Sequence, residues 1–352
     1  MSDEQETALE VTAIVVNFNA GDDLREALAS IARELAGRGW EGFVVDNASQ
    51  DGSAAIAREF APAVSLVVNP TNVGFGRAVN QALARARAPF VLIMNPDARL
   101  TPGALAVLEG ELRREPQCAI AGPRILDPDG SVQGSARGDP DMFTGFFGRS
   151  TALRRLMPWL PASRRNVVDV NVPADAPSLA VDWLSGACVL ARCEALLAEG
   201  GFDERYFLYY EDIDLAWRGR SRGWRYRFVP TSIVHHHHAA TVGVGSNVHR
   251  YYSERNRLLT LVKNAPAAMA TRELLRFPLS TVSYLWTEGV MPLLRGRRPR
   301  FATVALRVRS FGGASRHALY ALRARRRIQQ RRTVEPQLLV ADLVRDRNQR
   351  RA

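Results

Sequence analysis

The chain has 352 residues, of which 46% are hydrophobic and 24% charged, with a formal net charge of +11. That length and apolar fraction give a globular protein of one large or two ordinary domains and exclude a disordered chain. Cys118, Cys188 and Cys193 are scattered without metal-type pairing, which argues against a disulfide framework and for a reducing compartment; the acidic start, Met1 to Glu6, lacks a signal peptide's basic and apolar parts, so export is not expected.

Val11–Val16 is an apolar, β-branched run that ends in the loop Asn17-Phe18-Asn19-Ala20-Gly21, as a buried first strand of a parallel sheet does. Leu24, Leu28, Ile31 and Leu35 then recur at helical spacing. A second run, Phe43–Val45, ends at Asp46 and passes through turn residues to a helix start at Ser53, and Val64–Val68 reads as a third strand. Asn69 to Asn80 is a loop entering a helix that continues through Ala78–Arg87. Within it Gly74 and Gly76 permit close backbone approach, and Arg77 with the helix N-terminus favours an anion. The spacing is not G-x-G-x-x-G, and an ordinary helix entrance explains it equally well.

Phe90–Met94 reads as the fourth strand and places Asp97, in Asn95-Pro96-Asp97, at the same sheet edge as Asp46. A carboxylate there can ligate a hard divalent cation that bridges a diphosphate, although Asn-Pro-Asp is also a common turn. A helix over Thr101–Arg114, with Thr101 as N-cap and Pro102 as first residue, follows. From Asp127 to Pro177 no period is sustained, which reads as a long loop over the site.

A strand is expected over Val181–Leu190. After Gly200-Gly201-Phe202-Asp203-Glu204 and an aromatic turn, Glu211, Asp212 and Asp214 cluster at the start of a helix, where a carboxylate can serve as general base; a charge pair favoured by the helix dipole is the structural alternative. A strand over Trp224–Val229 precedes Ser232-Ile233-Val234 and the histidines His235–His238. Side-chain alternation lets at most two of these four reach a site, with His236 preferred over His235 as a metal ligand.

The basic charge belongs to the tail. Pro266 to Ala352 holds nineteen arginines, no lysine and five acidic residues, a net charge of +14 that leaves −3 for the remainder. Nucleic-acid binding would want that field around a cleft, whereas a basic extension with apolar stretches such as Val282–Trp286 suits an anionic membrane surface. The alternative is a set of helices packed on the catalytic domain with a solvated arginine face. No apolar run reaches the roughly 20 residues of a spanning helix. Residues 1–10 are expected to form a flexible N-terminus, 11–265 the main domain, and 266–352 a basic helical extension, frayed from Arg345.

Taken in order, Val15–Asn19, Val45–Ser53, Asn72–Gly76, Asn95–Asp97, Gly201–Glu204 with Glu211–Leu215, His236–Thr241 and Arg255–Arg257 resemble glycosyltransferase family 2, the inverting GT-A enzymes, in the rhamnosyltransferase-like branch. The resemblance covers Val11 to Lys263. It implies a Rossmann-like α/β fold with a mostly parallel sheet. Asp46 would read a pyrimidine base, the loop of Asn17 and Asn19 would line the nucleotide, and Asn72, Gly74, Phe75, Arg77, Asn80 and Asn95 would follow the ribose and diphosphate. Asp97 would be the last member of a D-x-D metal motif written Asn95-Pro96-Asp97, with His236 beside it on Mg or Mn. Asp212 would be the catalytic base, Glu211 would orient the acceptor or tune that base, and Trp183 to Gly186 would wall the acceptor site.

The function expected is metal-dependent transfer of a sugar, rhamnose from dTDP-rhamnose in this branch, from a nucleoside-diphosphate sugar to a glycan or polyprenyl-linked acceptor. The enzyme would be cytoplasmic and peripheral at the inner face of the cytoplasmic membrane, with no nucleic-acid partner. A sugar-nucleotide pyrophosphorylase would want a Gly-rich, Arg-bearing loop after the first strand, which Asn17–Gly21 is not. A nucleic-acid binder or a degenerate glycan binder are the remaining alternatives.

Overall fold

The computed structural model describes residues 8–137, 169–237 and 246–335. Strands β1 (Leu9–Asn17), β2 (Gly39–Asp46), β3 (Val64–Val68) and β4 (Phe90–Met94) pair in parallel in the order β3-β2-β1-β4. Helix α1 (Asp23–Glu34), a 3-10 segment at Ser53–Phe60 and α2 (Phe75–Leu83) make the crossovers. Strand β1 is apolar on both faces because both are covered. Val11, Ala13 and Val15 meet Leu24, Leu28 and Ile31 of α1 on one side, while Ile14 and Val16 lie with Ala78, Val79 and Ala82 of α2 on the other.

Beyond β4 the sheet turns mixed. It comprises β5 (Ala98–Leu100), β6 (Cys118–Leu126), β8 (Leu179–Val181), β10 (Cys188–Arg192) and β11 (Arg225–His236), with α3 (Ala104–Arg114) and α4 (Cys193–Ala198) on its faces. Strand β10 runs antiparallel between β4 and β6, and β11 lies parallel to β6 and antiparallel to β5 and β8. A separate ribbon joins β7 (Ala136–Arg137) to β9 (Trp183–Leu184).

Three expectations need correction. The strand expected over Val181–Leu190 is three short strands, because the chain leaves the sheet at Asp182: Ser185 N–H bonds the Ser135 carbonyl and Ala187 offers its carbonyl to Asn95 N–H. Thr101 is no N-cap: its hydroxyl donates to the Ile233 carbonyl at 2.8 Å, and α3 starts after Gly103, whose φ is +81°. The strand expected at Trp224–Val229 and the first two histidines of the run, His235 and His236, belong to one strand, β11, whose register shifts between Val229 and Ile233 around Pro230, a residue with no N–H to give the ladder.

The remaining helices are α5 (Glu211–Ser221), α6 (Asn247–Asn264), α7 (Ala267–Tyr284), α8 (Met291–Leu294), α9 (Ala302–Ser315) and α10 (Ala318–Arg331), with a π-helical segment at Leu285–Val290 joining α7 to α8. The basic extension packs back on the sheet domain: Phe277, Ala314 and Ala321 share a core with Leu258, Leu259 and Tyr206. Residues 1–7, 138–168 of the expected loop over the site, His238, and the tail from 336 lie outside the described residues.

Candidate active site

The parallel strands deliver their polar ends to one edge. Asn17, at the end of β1, donates from Nδ2 to Asp46 Oδ1 at 2.7 Å and to Ser53 Oγ at 2.8 Å. Ser49 N–H binds the other Asp46 oxygen at 3.0 Å. Asp46 is therefore buried yet charge-compensated by donors, with lone pairs left on each oxygen, and Asn17 Oδ1 has no protein partner. Asn19, at φ +52°, ties the two loops: its Oδ1 accepts Gln50 N–H and its own N–H reaches Ser49 Oγ. Asn47, not singled out from the sequence, links this edge to the next loop through Asn69 Nδ2 at 3.0 Å and the Gly74 carbonyl at 3.4 Å.

Gly74 has φ +87°, and a Cβ there would lie 2.3 Å from the Phe207 carbonyl oxygen. The same oxygen accepts Phe75 N–H at 3.1 Å, so the loop Asn72–Gly76 is seated on the chain that leads into α5. Asn72 Oδ1 caps this turn through Gly74 N–H. Gly74→Ala is expected to cost roughly 1–3 kcal/mol from backbone conformation alone and more from the clash; a lower melting temperature together with weakened donor binding checks it. Asn80 clamps the main chain of Phe202, accepting its N–H at 2.9 Å and donating to its carbonyl at 2.8 Å, so its amide positions the loop. The Arg77 guanidinium is half-exposed and lies 3.6 Å from Glu204.

At the end of β4, Asp97 Oδ1 lies 3.0 Å from His236 Nε2, and Asn95 Nδ2 lies 3.2 Å from the same nitrogen. Gln133 sets the ring. Its Nε2 donates to the His236 carbonyl and to Asp127 Oδ1, which leaves Oε1 facing His236 Nδ1 at 2.8 Å. Nδ1 is then the donor to Gln133, and Nε2 faces both the Asp97 carboxylate and the Asn95 amide. Side-chain alternation on β11 buries His236 and exposes His235 and His237. Among the described residues no group of three or more His, Cys, Asp or Glu side chains gathers as a metal cage. A carboxylate oxygen and an imidazole nitrogen 3.0 Å apart still suit a divalent cation that takes its other ligands from a diphosphate and water.

Asp212 opens α5 with its carboxylate accepting N–H from Ile213 at 2.7 Å and from Gly186. Burial raises its pKa to about 6, against the lowering effect of those N–H groups and of Arg137. Glu211 is pushed well above the usual carboxylate range by burial and by Asp212, and its Oε2 has no partner. Gly186 sits with its missing Cβ 3.3 Å from the Phe75 ring, so the segment expected to wall the acceptor, the Asp212 carboxylate and the loop of Gly74 and Phe75 meet there. Trp183 lies over Arg137, at 6.0 Å from guanidinium to ring centre, and its buried indole N–H has no partner.

Asp214 does different work. It is fully buried and bound by Lys263 at 2.7 Å, Arg218 at 2.9 Å and Asn264 at 2.8 Å; burial alone would raise its pKa, but Lys263 and Arg218 outweigh that and hold it at about 2. Lys263 also grips Asp203. Tyr209 and Tyr210, just before α5, have φ of +68° and +73°, and the buried Asn256 amide holds them by donating to the carbonyls of Leu208 and Tyr209 at 2.9 and 2.7 Å.

The family model "Glycosyl transferase family 2" matches residues 12–163. The N-acetylglucosaminyl-diphospho-decaprenol L-rhamnosyltransferase of Mycobacterium tuberculosis (strain ATCC 25618 / H37Rv) is 36% identical over 244 residues, covering 65% of this chain and 76% of the relative. The pre-mycofactocin glycosyltransferase of the same strain is 27% identical over 65% of this chain and 43% of its own length. A crystal structure of GalNAc-T7 with UDP, GalNAc and Mn2+ shares the GT-A fold at TM-score 0.53 and 16% identity, covering 74% of this chain and 48% of that one. With the strand-edge residues in the family's order and a relative of this likeness aligned over most of its length, the chain belongs to glycosyltransferase family 2, among its rhamnosyltransferase-like members.

Proposed function

We propose that this chain transfers L-rhamnose from dTDP-rhamnose to an N-acetylglucosamine carried on a prenyl diphosphate, by single displacement with inversion. The observation that carries the reading is the meeting of Asp212, Gly186 and Phe75, which sets a buried carboxylate against the loop proposed to hold the donor. Asp212 takes the proton from the acceptor hydroxyl as that oxygen attacks the anomeric carbon, and the nucleoside diphosphate leaves from the opposite face. Glu211, whose carboxyl burial and the adjacent Asp212 push well above the usual carboxylate range, and the Trp183 N–H orient the acceptor by hydrogen bonds. Asp46 and Asn17 hold the base, while Asn19, Asn72, Gly74, Phe75, Arg77 and Asn95 line the rest of the donor. Mg or Mn, held by Asp97 and His236, would neutralise charge on the departing diphosphate.

The test is calorimetric titration of UDP-, dTDP- and GDP-sugars, with and without Mn2+, into the wild type and Asp97→Asn. Metal-dependent binding of dTDP-rhamnose, weakened at least tenfold in the variant, is expected; binding of none of the sugars would sink the reading.

The extension gives this chemistry a place. Leu275, Leu279, Val282 and Trp286 are 64%, 70%, 63% and 54% exposed, and their spacing of 4, 3 and 4 residues puts them on one face. Leu293 and Leu294 adjoin them, followed by Arg295, Arg297, Arg298 and Arg300. That combination fits the surface of an anionic bilayer, peripherally, at the inner face of the cytoplasmic membrane. No helix of the described residues is long and apolar enough to cross a membrane. Leu279→Asp with Trp286→Asp is expected to abolish sedimentation with phosphatidylglycerol vesicles while leaving the melting temperature within about 2 °C, since both side chains are exposed; undiminished sedimentation removes the membrane from the proposal.

A further inference from the structure

A cavity of about 210 Å3 lies where the loop before α5, helix α6 and the α9–α10 turn meet, and its walls include Arg205, Arg255, Arg316, His317, Phe207 and Tyr252. Its floor is close-packed: a Cβ on Gly313 would lie 2.6 Å from the Tyr251 hydroxyl. The positive charge here is uncompensated. Arg255 is 7% exposed, yet among the described residues its guanidinium bonds only the Arg205 carbonyl, at 3.1 Å, and Asn256 Oδ1, at 2.8 Å, and stands 5.9 Å from the Tyr252 ring centre. Arg205 stacks on Tyr320 at 3.6 Å. Among the described residues, neither these two nor Arg316 pairs with a carboxylate, whereas Arg25, Arg38, Arg99, Arg218 and Arg307 all do. The nearby carboxylate, Asp203, is taken by Lys263 and by the Tyr320 hydroxyl at 2.6 Å.

A buried guanidinium without a counter-charge is costly, and a cavity that sets the buried Arg255 beside the exposed Arg205 and Arg316 and an imidazole is shaped for an anion with several oxygens. The lowered pKa of His317, set first by burial and then by Arg255 and Arg205, reports the same field.

We propose that this cavity binds the diphosphate of the prenyl-diphosphate-linked acceptor, an assignment that rests on the function proposed above. Phe207 connects the two places. Its carbonyl accepts Phe75 N–H, and its ring stacks on Tyr252 at 5.2 Å in the cavity wall, so a single residue joins the cavity to the loop proposed to hold the donor. The acceptor sugar would reach Asp212 while its diphosphate is held by Arg205, Arg255 and Arg316. Selectivity for a diphosphate-linked sugar over a neutral glycoside follows from that charge.

The test compares the full chain with Arg316→Ala, Arg316→Glu and Arg205→Ala, on exposed side chains, and with Arg316→Lys. Two acceptors are used, N-acetylglucosamine on a short prenyl diphosphate and neutral octyl N-acetylglucosaminide. Inorganic diphosphate is titrated calorimetrically in parallel with EDTA present. The expected result is a KM for the diphosphate acceptor raised tenfold or more in the Ala variants and further in Arg316→Glu, with partial rescue in Arg316→Lys. The neutral acceptor's KM, the donor KM and kcat should stay within twofold, and diphosphate affinity should fall in step. An unchanged KM for the diphosphate acceptor overturns the assignment, and if diphosphate affinity nonetheless falls the cavity is a free-phosphate site. If the wild type transfers to neither acceptor the proposed function fails, and the calorimetric series alone then decides whether an anion site exists: no loss of diphosphate affinity in the variants ends that as well.

Discussion

Asp212→Asn is expected to lower kcat by about 10³-fold, within the range that general-base removal costs, with donor affinity unchanged within twofold. The same substitution should raise the melting temperature at pH 8. The carboxyl is held at about 6 by burial, above its unfolded value, so the folded state binds the proton more tightly than the unfolded one. Its contribution favours folding at low pH and turns against it as pH rises through 6, and the neutral amide escapes that penalty. Rate loss with gained stability marks a residue kept for chemistry at the expense of the fold; a variant that loses both rate and stability would make Asp212 structural. In the wild type the acid limb of kcat/KM should fall near pH 6, well above an ordinary aspartate.

Much of the site is legible before the fold is seen, for one physical reason. In a parallel sheet the apolar runs must be strands buried on both faces, so the first polar residue after each run lands at the same edge. Asn17, Asp46 and Asn95 follow from that rule, with Asp97 two residues beyond Asn95, and two-residue alternation picks His236 over its neighbours. The supporting residues do not follow from any local pattern. Gln133 reaches His236 across 103 positions and Asn80 reaches Phe202 across 122. Gly186 meets Phe75 and Asp212 only because the chain leaves the sheet after β8, a break that the apolar stretch Val181–Leu190 conceals. The acidic cluster at α5 also misleads. Two helical steps turn Asp214 about 200° away from Asp212, into the core, where it serves as an anchor. The basic tail reads as an appendage, yet Arg307 bonds Glu254 at 2.8 Å and the Phe277 carbonyl at 3.3 Å, and Tyr320 reaches Asp203, so the helices complete the core beneath α5.

Lys263→Met is the substitution expected to damage the fold most. The ammonium, 2% exposed, is the shared partner of Asp203 and Asp214 and lies 4.9 Å from the Tyr206 ring centre. Removing it leaves two buried carboxylates short of a cation, with Arg218 still on Asp214 and the Tyr320 hydroxyl on Asp203, at a cost of about 3–5 kcal/mol. For a chain of this size that corresponds to a fall in melting temperature of roughly 10 °C. The pH dependence separates charge from packing. Asp214 is depressed to about 2, so its stabilisation is fully present above its unfolded value near 4 and is lost as pH falls toward 2. The gap between wild type and Lys263→Met should therefore be full at pH 7 and narrow between pH 4 and pH 2. A gap that stays constant over that range would assign the loss to the missing side-chain volume. Because Lys263 joins α6 to α5 and to the Asp203 turn, kcat should fall in the folded fraction too, through displacement of Asp212 rather than through any contact with substrate.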